Sequence, residues 1–177
     1  AYLRLDQFAQ ARSALSRAIE LQPDWATPYY NRGQAYRHLD HHNAALADLD
    51  QAIVLDPFLA EAYDERAIVL RLMGRIQEAL ASANKAISLR QGSADFHLTR
   101  GNIYLQQAAY EQAVADYDRV LTLNAAYAPA YQNRAVCWYY LKRYDRAWAD
   151  VQACRKLGDQ VNPALLDMLT QASGKAE

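Results

Sequence analysis

Few residue patterns in this chain have the types and spacing that chemistry requires. Ser82 and Lys85 form a Ser-x-x-Lys string, which some acyl-transfer enzymes use, but no companion motif accompanies it. His38, His41 and His42 could offer imidazole ligands to a metal ion, yet they lie in one polar turn and have no second ligand cluster. A Gly-rich phosphate loop and a paired CxxC are both absent from the sequence. We therefore predict a protein with no catalytic residues, no metal site and no cofactor.

Four arginines recur at a fixed spacing, and an acidic residue follows three of them sixteen positions later. The arginines are Arg32, Arg66, Arg100 and Arg134, and the later positions hold Asp48, Ser82, Asp116 and Asp150. Because a guanidinium binds a carboxylate through two parallel hydrogen bonds, this spacing favours internal pairs across two antiparallel helices. The alternative, an arginine ladder that binds an acidic ligand, is weaker because three of the four arginines have a prospective internal acid.

The same spacing of 34 residues organises the rest of the chain. It separates Pro23 from Pro57 and relates two sets of small residues: Gly33, Ala67, Gly101 and Ala135, and then Ala11, Ala45, Ala79, Ala113 and Ala147. Within one period, Tyr29, Gly33 and Tyr36 are spaced i, i+4 and i+7, which places them on one face of a helix. A fixed period of this length predicts stacked helical units joined by short polar turns.

These residues resemble the tetratricopeptide repeat family, in which helices A and B carry small and aromatic residues at these positions and Pro marks the exit. The resemblance implies an all-α, right-handed helical-repeat solenoid of antiparallel helix pairs with a C-terminal capping helix. The expected segments are a partial repeat at 1–25, full repeats at 26–59, 60–93, 94–127 and 128–161, a capping helix at 163–172 and a frayed tail at 173–177. Two departures from the family pattern are the loss of the exit Pro in the later repeats and Ala in place of Gly at Ala67 and Ala135.

Composition excludes several classes of protein. Hydrophobic residues make up 52% of the chain and the net charge is -1, so the sequence is neither disordered nor a strongly basic nucleic-acid binder. No apolar run approaches the ~20 residues that a membrane span needs, and residues 1–25 have no signal-peptide pattern. These features favour the cytoplasm, although the sequence does not fix the compartment. Cys137 and Cys154 fall at inward positions and are interpreted as core residues.

The first segment of the sequence corresponds to a helix B without most of its helix A. Ala11, Leu15 and Ala18 would then be partly uncovered, although solenoids normally hide their terminal apolar faces. We interpret the chain as the C-terminal part of a longer protein. Self-association into a homodimer through this open N-terminal face is the alternative.

The resemblance also implies where a ligand would bind, because proteins of this family usually present the concave face that their A helices line. The residues at those positions are Tyr30, Gln34, Arg37, Glu61, Asp64, Ile68, Arg71, Asp95, Leu98, Asn102, Leu105, Gln132, Val136 and Tyr139. Glu61, Asp64 and Asp95 predict an acidic patch. Leu98, Leu105, Val136, Tyr139 and the neighbouring Tyr140 predict an apolar wall.

From this distribution we predict a non-catalytic scaffold or adaptor that binds a peptide or a partner helix. The ligand would place Lys or Arg opposite Glu61 and Asp64 and an apolar anchor opposite Tyr139. The carboxylate clamp of the family is mostly missing, since none of the residues at its second and fifth positions is basic. Two alternatives remain: the interaction region of a larger enzyme, such as a glycosyltransferase or a protease accessory, and a self-assembly module.

Overall fold

The computed structural model describes the backbone of residues 2–174 and the side chains of residues 6–174. This part of the chain forms ten α-helices and no strand, which confirms the predicted all-α helical-repeat solenoid. The helices are α1 (Tyr2–Leu21), α2 (Ala26–His38), α3 (His42–Leu55), α4 (Ala60–Leu72), α5 (Ile76–Leu89), α6 (Ala94–Gln106), α7 (Tyr110–Leu123), α8 (Ala128–Tyr140), α9 (Tyr144–Lys156) and α10 (Pro163–Ser173).

The helices fall into two compact units, residues 1–91 and 92–177. In the first unit α2 packs against α1 and α3, and α4 packs against α3 and α5. In the second unit α6 packs against α7, α8 packs against α7 and α9, and α10 packs against α9. We call α2, α4, α6 and α8 the A helices, and α1, α3, α5, α7 and α9 the B helices.

Every A helix ends in the same backbone conformation. The second residue after each helix end has a positive φ, at Asp40 (59°), Gly74 (74°), Ala108 (57°) and Lys142 (58°), one period apart. The next amide N–H donates back to a carbonyl five residues earlier, as from Arg75 to Leu70 and from Arg143 to Trp138. This is the hydrogen bond of a Schellman motif, which terminates a helix sharply. Because the backbone alone makes the turn, the side chains there can vary from repeat to repeat.

The small residue of each A helix is matched in size to the residue sixteen positions later. A Cβ atom on Gly33 would lie 2.9 Å from Leu49 Cγ, and one on Gly101 would lie 2.8 Å from Tyr117 Cε1. Where the A helix has Ala67 or Ala135 instead, the later positions hold the smaller Ala83 and Val151. Replacement of the family Gly by Ala is therefore accompanied by a smaller residue on the B helix.

The C-terminal helix closes the core of the second unit. Leu165 and Leu169 of α10 are buried in the same cluster as Val151. The side chain of Asn162 accepts a hydrogen bond from the Ala164 amide and so caps the N-terminus of α10. The helix continues to Ser173, one residue past the expected range. Ser173 Oγ donates to the Leu169 carbonyl and accepts from Trp148 Nε1. The predicted frayed residues 175–177 lie outside the described residues.

We expect Gly101→Ala to lower the free energy of unfolding by about 1–3 kcal/mol, because the added methyl group overpacks the helix crossing. Tyr117 would have to move away from a Cβ atom placed 2.8 Å from its ring. Urea unfolding followed by circular dichroism measures the change.

The matched experiment adds Tyr117→Val, which recreates the pairing of Ala135 with Val151. In that background Gly101→Ala should cost much less than it does beside Tyr117, since the two residues are coupled. Equal costs of Gly101→Ala in both backgrounds would contradict the size-matching explanation.

Candidate partner-binding site

Polar side chains of α2 and α4 form a connected network in the first unit. Tyr30, Gln34 and Arg37 are spaced i, i+4 and i+7, so they share one face of α2. Gln34 Nε2 donates to Tyr30 Oη at 2.9 Å and to Glu65 Oε2 at 3.5 Å. Arg37 Nε donates to Glu65 Oε1. Three of the predicted groove residues are therefore joined through a carboxylate of the next A helix.

Glu65 is the residue of this network that sequence reasoning missed. Its side chain is only 7% exposed, and a carboxylate so buried requires a cationic or hydrogen-bonding partner. The residue has the same phase in its repeat as Asn31 and Asn133. That recurrence of polar residues was the available signal, but the burial depends on Arg37 from the preceding repeat.

The surroundings of Tyr30 are negatively charged. The pKa of the Tyr30 phenol is raised from its ordinary 10.0 to about 12. Burial is the largest cause, and the nearby carboxylates of Glu65, Glu61 and Asp64 contribute to the same rise. Arg37 opposes them by favouring the phenolate. Each of the three carboxylates acts on the phenol more strongly than Arg37 does, so the potential of the charged groups there is negative.

Glu61 already has an internal partner at the edge of this face. Arg90 Nη2 donates to Glu61 Oε1 at 2.6 Å, and the side chains of Arg90 and Glu61 are 54% and 35% exposed. Exposed pairs of this kind contribute only about 0–1 kcal/mol, so a cation from a ligand could replace Arg90. The remaining predicted residues of α4, Asp64, Ile68 and Arg71, are half-buried. We call the predicted residues of α2 and α4, together with Glu65, the acidic face.

In the second unit, Asn102 links helices α6, α7 and α8. Its Oδ1 accepts hydrogen bonds from Tyr117 Oη and Asn133 Nδ2, both at 2.8 Å. This predicted groove residue is therefore held in one orientation. Two further predicted residues also bond to neighbouring segments: Asp95 Oδ1 accepts from Tyr127 Oη at 2.9 Å, and Gln132 Nε2 donates to the Gln160 carbonyl at 3.0 Å.

The predicted apolar wall belongs partly to the core. Leu98 and Leu105 are half-buried against the cluster around Tyr117. Val136 and Tyr139 pack in the same way against the cluster that contains Val151. Beyond them Tyr140 is 49% exposed, and its ring meets that of Tyr139 edge to face with centroids 5.3 Å apart. We call Leu98, Leu105, Val136, Tyr139 and Tyr140 the apolar wall.

The recurring arginines form the internal pairs that their spacing predicts. Arg32 Nε and Nη2 bind the two carboxylate oxygens of Asp48, each at 2.7 Å. Arg100 binds Asp116 at 2.8 and 2.7 Å, and Arg134 binds Asp150 at 2.8 and 2.6 Å, with the same atoms. The three bidentate pairs confirm the structural interpretation of these charges.

A second set of partners, sixteen residues before the arginines, was not predicted. Arg32 Nη1 donates to Ser16 Oγ at 3.0 Å, and Arg134 Nη1 donates to Asp118. Arg66, which has Ser82 in place of the later acid, donates to Ser82 Oγ at 2.7 Å and to Asp50 Oδ1 at 2.6 Å. Each of these three arginines therefore joins its own B helix to the preceding one.

Two of the histidines lie beside aromatic rings, and both cysteines lie in the core. His38 stacks on Phe8 with centroids 4.1 Å apart, whereas the ring of His41 lies 6.0 Å from Tyr36. In the described part of the chain no group of three His, Cys, Asp or Glu side chains is placed to hold a metal ion. Cys137 and Cys154 are buried thiols, and burial raises the pKa of Cys137 to about 12. None of the helices within residues 2–174 combines the length and apolarity of a membrane span.

Comparison with known families identifies repeats along most of the sequence. A family model described as TPR repeat matches residues 1–40. Two models described as tetratricopeptide repeat match residues 26–59 and 65–128. Comparison with curated protein sequences gives no match.

Solved structures share this fold at low sequence identity. PilW, titled a widely conserved type IV pilus biogenesis factor, is 19% identical, with a TM-score of 0.87 over 99% of this chain and 82% of its own. PilF of Pseudomonas aeruginosa is 20% identical, with a TM-score of 0.85 over 98% of this chain and 80% of its own. YrrB, titled a TPR protein with an unusual peptide-binding site, is 20% identical, with a TM-score of 0.72 over 92% and 93%.

The potential at Tyr30 can be measured by titration. We expect the phenolate absorbance of the wild-type chain, minus that of Tyr30→Phe, to rise with a midpoint near the pKa of about 12. Because the folded-state pKa exceeds the unfolded value of 10.0, the stability difference between the two proteins is constant below pH 10.0 and declines as pH approaches 12. Glu65→Gln should lower the midpoint, since it removes a negative charge. A Glu65→Gln midpoint equal to that of the wild-type chain would contradict the negative potential, because burial alone would then account for the raised pKa.

Ser82, which stands where the other three repeats have an acid that binds the arginine, allows the contribution of that acid to stability to be tested. Ser82→Asp recreates the arrangement of Arg134, which has acids both before and after it, and should raise the free energy of unfolding by about 1 kcal/mol. Ser82→Asn is the uncharged control of similar size and should not stabilise the chain. A Ser82→Asp protein no more stable than Ser82→Asn in urea unfolding would show that the second carboxylate adds nothing.

Proposed function

The chain belongs to the tetratricopeptide repeat family, and we propose that it is a non-catalytic scaffold or adaptor that binds a peptide or partner helix along its A helices. Family membership supports a role in protein interaction generally. The choice of a peptide or helix as ligand rests on the side chains of the acidic face and the apolar wall.

The observation that carries the proposal is the negative potential at the Tyr30 phenol within the acidic face. Three carboxylates act on the half-buried Tyr30, and only Arg37 opposes them. The Tyr30 ring offers apolar surface beside Glu61, whose carboxylate reaches solvent. This combination suits a Lys or Arg side chain of a partner, because its methylene groups can lie on the Tyr30 ring while its positive charge contacts the Glu61 carboxylate.

The apolar wall offers a different kind of contact. Tyr140 exposes about half of its surface, and Tyr139 supports it from the core side. A rigid tyrosine pair of this kind is a favourable anchor for an apolar residue of a ligand, since little conformational entropy is lost on binding. YrrB, a TPR protein with an unusual peptide-binding site, shares the fold of this chain, and this likeness supports a peptide as the ligand.

The same charges argue against recognition of a chain terminus. At the positions where the carboxylate clamp of the family places basic residues, the acidic face has Tyr30, Glu61 and Asp64. A terminal carboxylate would be repelled there, so the ligand is an internal segment that carries a positive charge.

Peptides selected for binding to the wild-type chain from a random library should be enriched in Lys or Arg next to an apolar residue. Glu61→Lys combined with Asp64→Lys should weaken the best such peptide at least about tenfold, the equivalent of ~1.4 kcal/mol for two charge contacts. Isothermal titration calorimetry measures the affinity.

The matched control is Asp24→Lys with Asp40→Lys, which changes the net charge equally at two exposed positions off the acidic face. Asp40 is a suitable site because Lys142, which occupies the equivalent position three periods later, has the same backbone conformation. Equal weakening by both double variants, or none by either, would refute the proposed role of the acidic face.

A further inference from the structure

The turn between α8 and α9 lies beside an open cleft of about 450 Å³. Residues 142–146 line the cleft from this turn and the first turn of α9, and Ala172 and Ser173 of α10 line the opposite side. Three of the lining side chains, Lys142, Arg143 and Arg146, are cationic and exposed. We call Lys142, Arg143, Tyr144 and Arg146 the basic turn.

The positive charge of the basic turn is not balanced internally. Among residues 6–174, neither Lys142 nor Arg143 lies within ion-pair distance of a carboxylate, and the guanidinium of Arg146 lies 4.8 Å from the Trp138 ring centroid. Asp145 supplies one negative charge at the same cleft. Among the described residues that line the cleft, three cations and one carboxylate give an excess of positive charge, although the chain as a whole has a net charge of -1.

An equivalent turn elsewhere in the chain shows that this excess is not required by the fold. Arg75 occupies the position of Arg143 two periods earlier, and it is bound by Glu78 through two hydrogen bonds of 2.7 Å. The position of Glu78 is occupied by Arg146 in the basic turn. The ion pair of Arg75 with Glu78 in the earlier turn thus corresponds to two cations, Arg143 and Arg146, in the basic turn.

Tyrosine rings adjoin the basic turn. Tyr144 lines the cleft, and its ring centroid lies 5.9 Å from that of Tyr139. Tyr139 contacts the half-exposed Tyr140, which stacks on Tyr110 with centroids 4.8 Å apart and an interplanar angle of 6°. The cations therefore lie next to a group of contacting tyrosine rings that a ligand side chain could reach at Tyr140.

We propose that the basic turn is a second docking surface of this protein, which binds an acidic segment of a partner protein. Glu or Asp side chains of that segment would contact Lys142, Arg143 and Arg146, and a neighbouring residue would lie on Tyr140. Charge complementarity selects this occupant, since the cleft offers exposed cations that have no carboxylate partner among residues 6–174. An anionic membrane is less well matched, because polybasic membrane sites typically cluster about 4–8 Lys or Arg.

This surface is independent of the acidic face. The two bind segments of opposite charge through different residues, so variants at Glu61 and Asp64 leave the basic turn intact. Failure of one proposal therefore does not decide the other.

The test measures the fluorescence anisotropy of a labelled oligoglutamate peptide with the full chain, and an oligoglutamine peptide of the same length is the uncharged reference. We expect binding of oligoglutamate alone, weakened by added salt. Lys142→Glu with Arg143→Glu should weaken it at least about tenfold, the equivalent of ~1.4 kcal/mol. Tyr140→Ala should weaken binding with no change in its salt dependence.

The matched control is Arg155→Glu with Lys156→Glu, at the other end of α9, which changes the net charge equally and should leave the affinity within about twofold. Acidic residues at the start of α9 favour its helix dipole, so the turn variant should fold, and circular dichroism checks this. Lys142→Ala with Arg143→Ala serves as a milder second variant.

Three results would overturn the proposal. The first is an absence of oligoglutamate binding at low salt. The second is equal weakening by the turn variant and the α9 control, which would mean non-specific attraction. The third is binding to phosphatidylserine vesicles that depends on Lys142 and Arg143 when oligoglutamate does not bind, which would identify a lipid surface instead.

Discussion

The arrangement of the repeats depends on arginines that lie between two B helices. Arg134 shows the full form, with Asp118 of α7 on one side and Asp150 of α9 on the other. A half-buried guanidinium is costly unless acceptors surround it, so its burial favours the arrangement in which the flanking B helices present those acceptors. The pairs thus favour one register of each A helix against the flanking B helices, whereas apolar contacts alone would tolerate small shifts.

Packing at the helix crossings adds a second constraint: the small residue of the A helix and the facing residue of the B helix must fit together in size. Different residue pairs meet this constraint in different repeats. Gly101 makes room for Tyr117, and Tyr117 in turn donates to Asn102, which also holds Asn133 of the next A helix. One glycine therefore permits a hydrogen-bond chain across three helices. The turns have the opposite property: their conformation is the same in every repeat, but Gly74 and Lys142 show that their side chains are free to differ. Sequence variation at the turns can serve recognition without disturbing the core.

The period and the local helix signals made the fold predictable, because both report contacts close in sequence or one repeat apart. The Arg32–Asp48 pair was predictable for the same reason, since it lies within one repeat. The contact of Arg32 with Ser16 was missed because it required knowing which helix covers the other side of α2. The burial of Glu65 was missed because its partner, Arg37, comes from the preceding repeat. Helical spacing assigns a residue to a face but does not give its depth.

Depth also separates the predicted site residues that can meet a ligand from those that mainly support the fold. Leu98 and Leu105 lie on the predicted face but pack against the cluster around Tyr117, so their apolar surface is already partly used. The net charge of -1 does not indicate where a ligand binds, because it sums a negative potential at Tyr30 and a positive cleft at Arg143. Opposite local charges on a nearly neutral chain give little long-range steering, since salt screens exposed charges beyond ~8 Å. Partners would then be distinguished by the sign of charge that they bring into contact, at short range and after encounter.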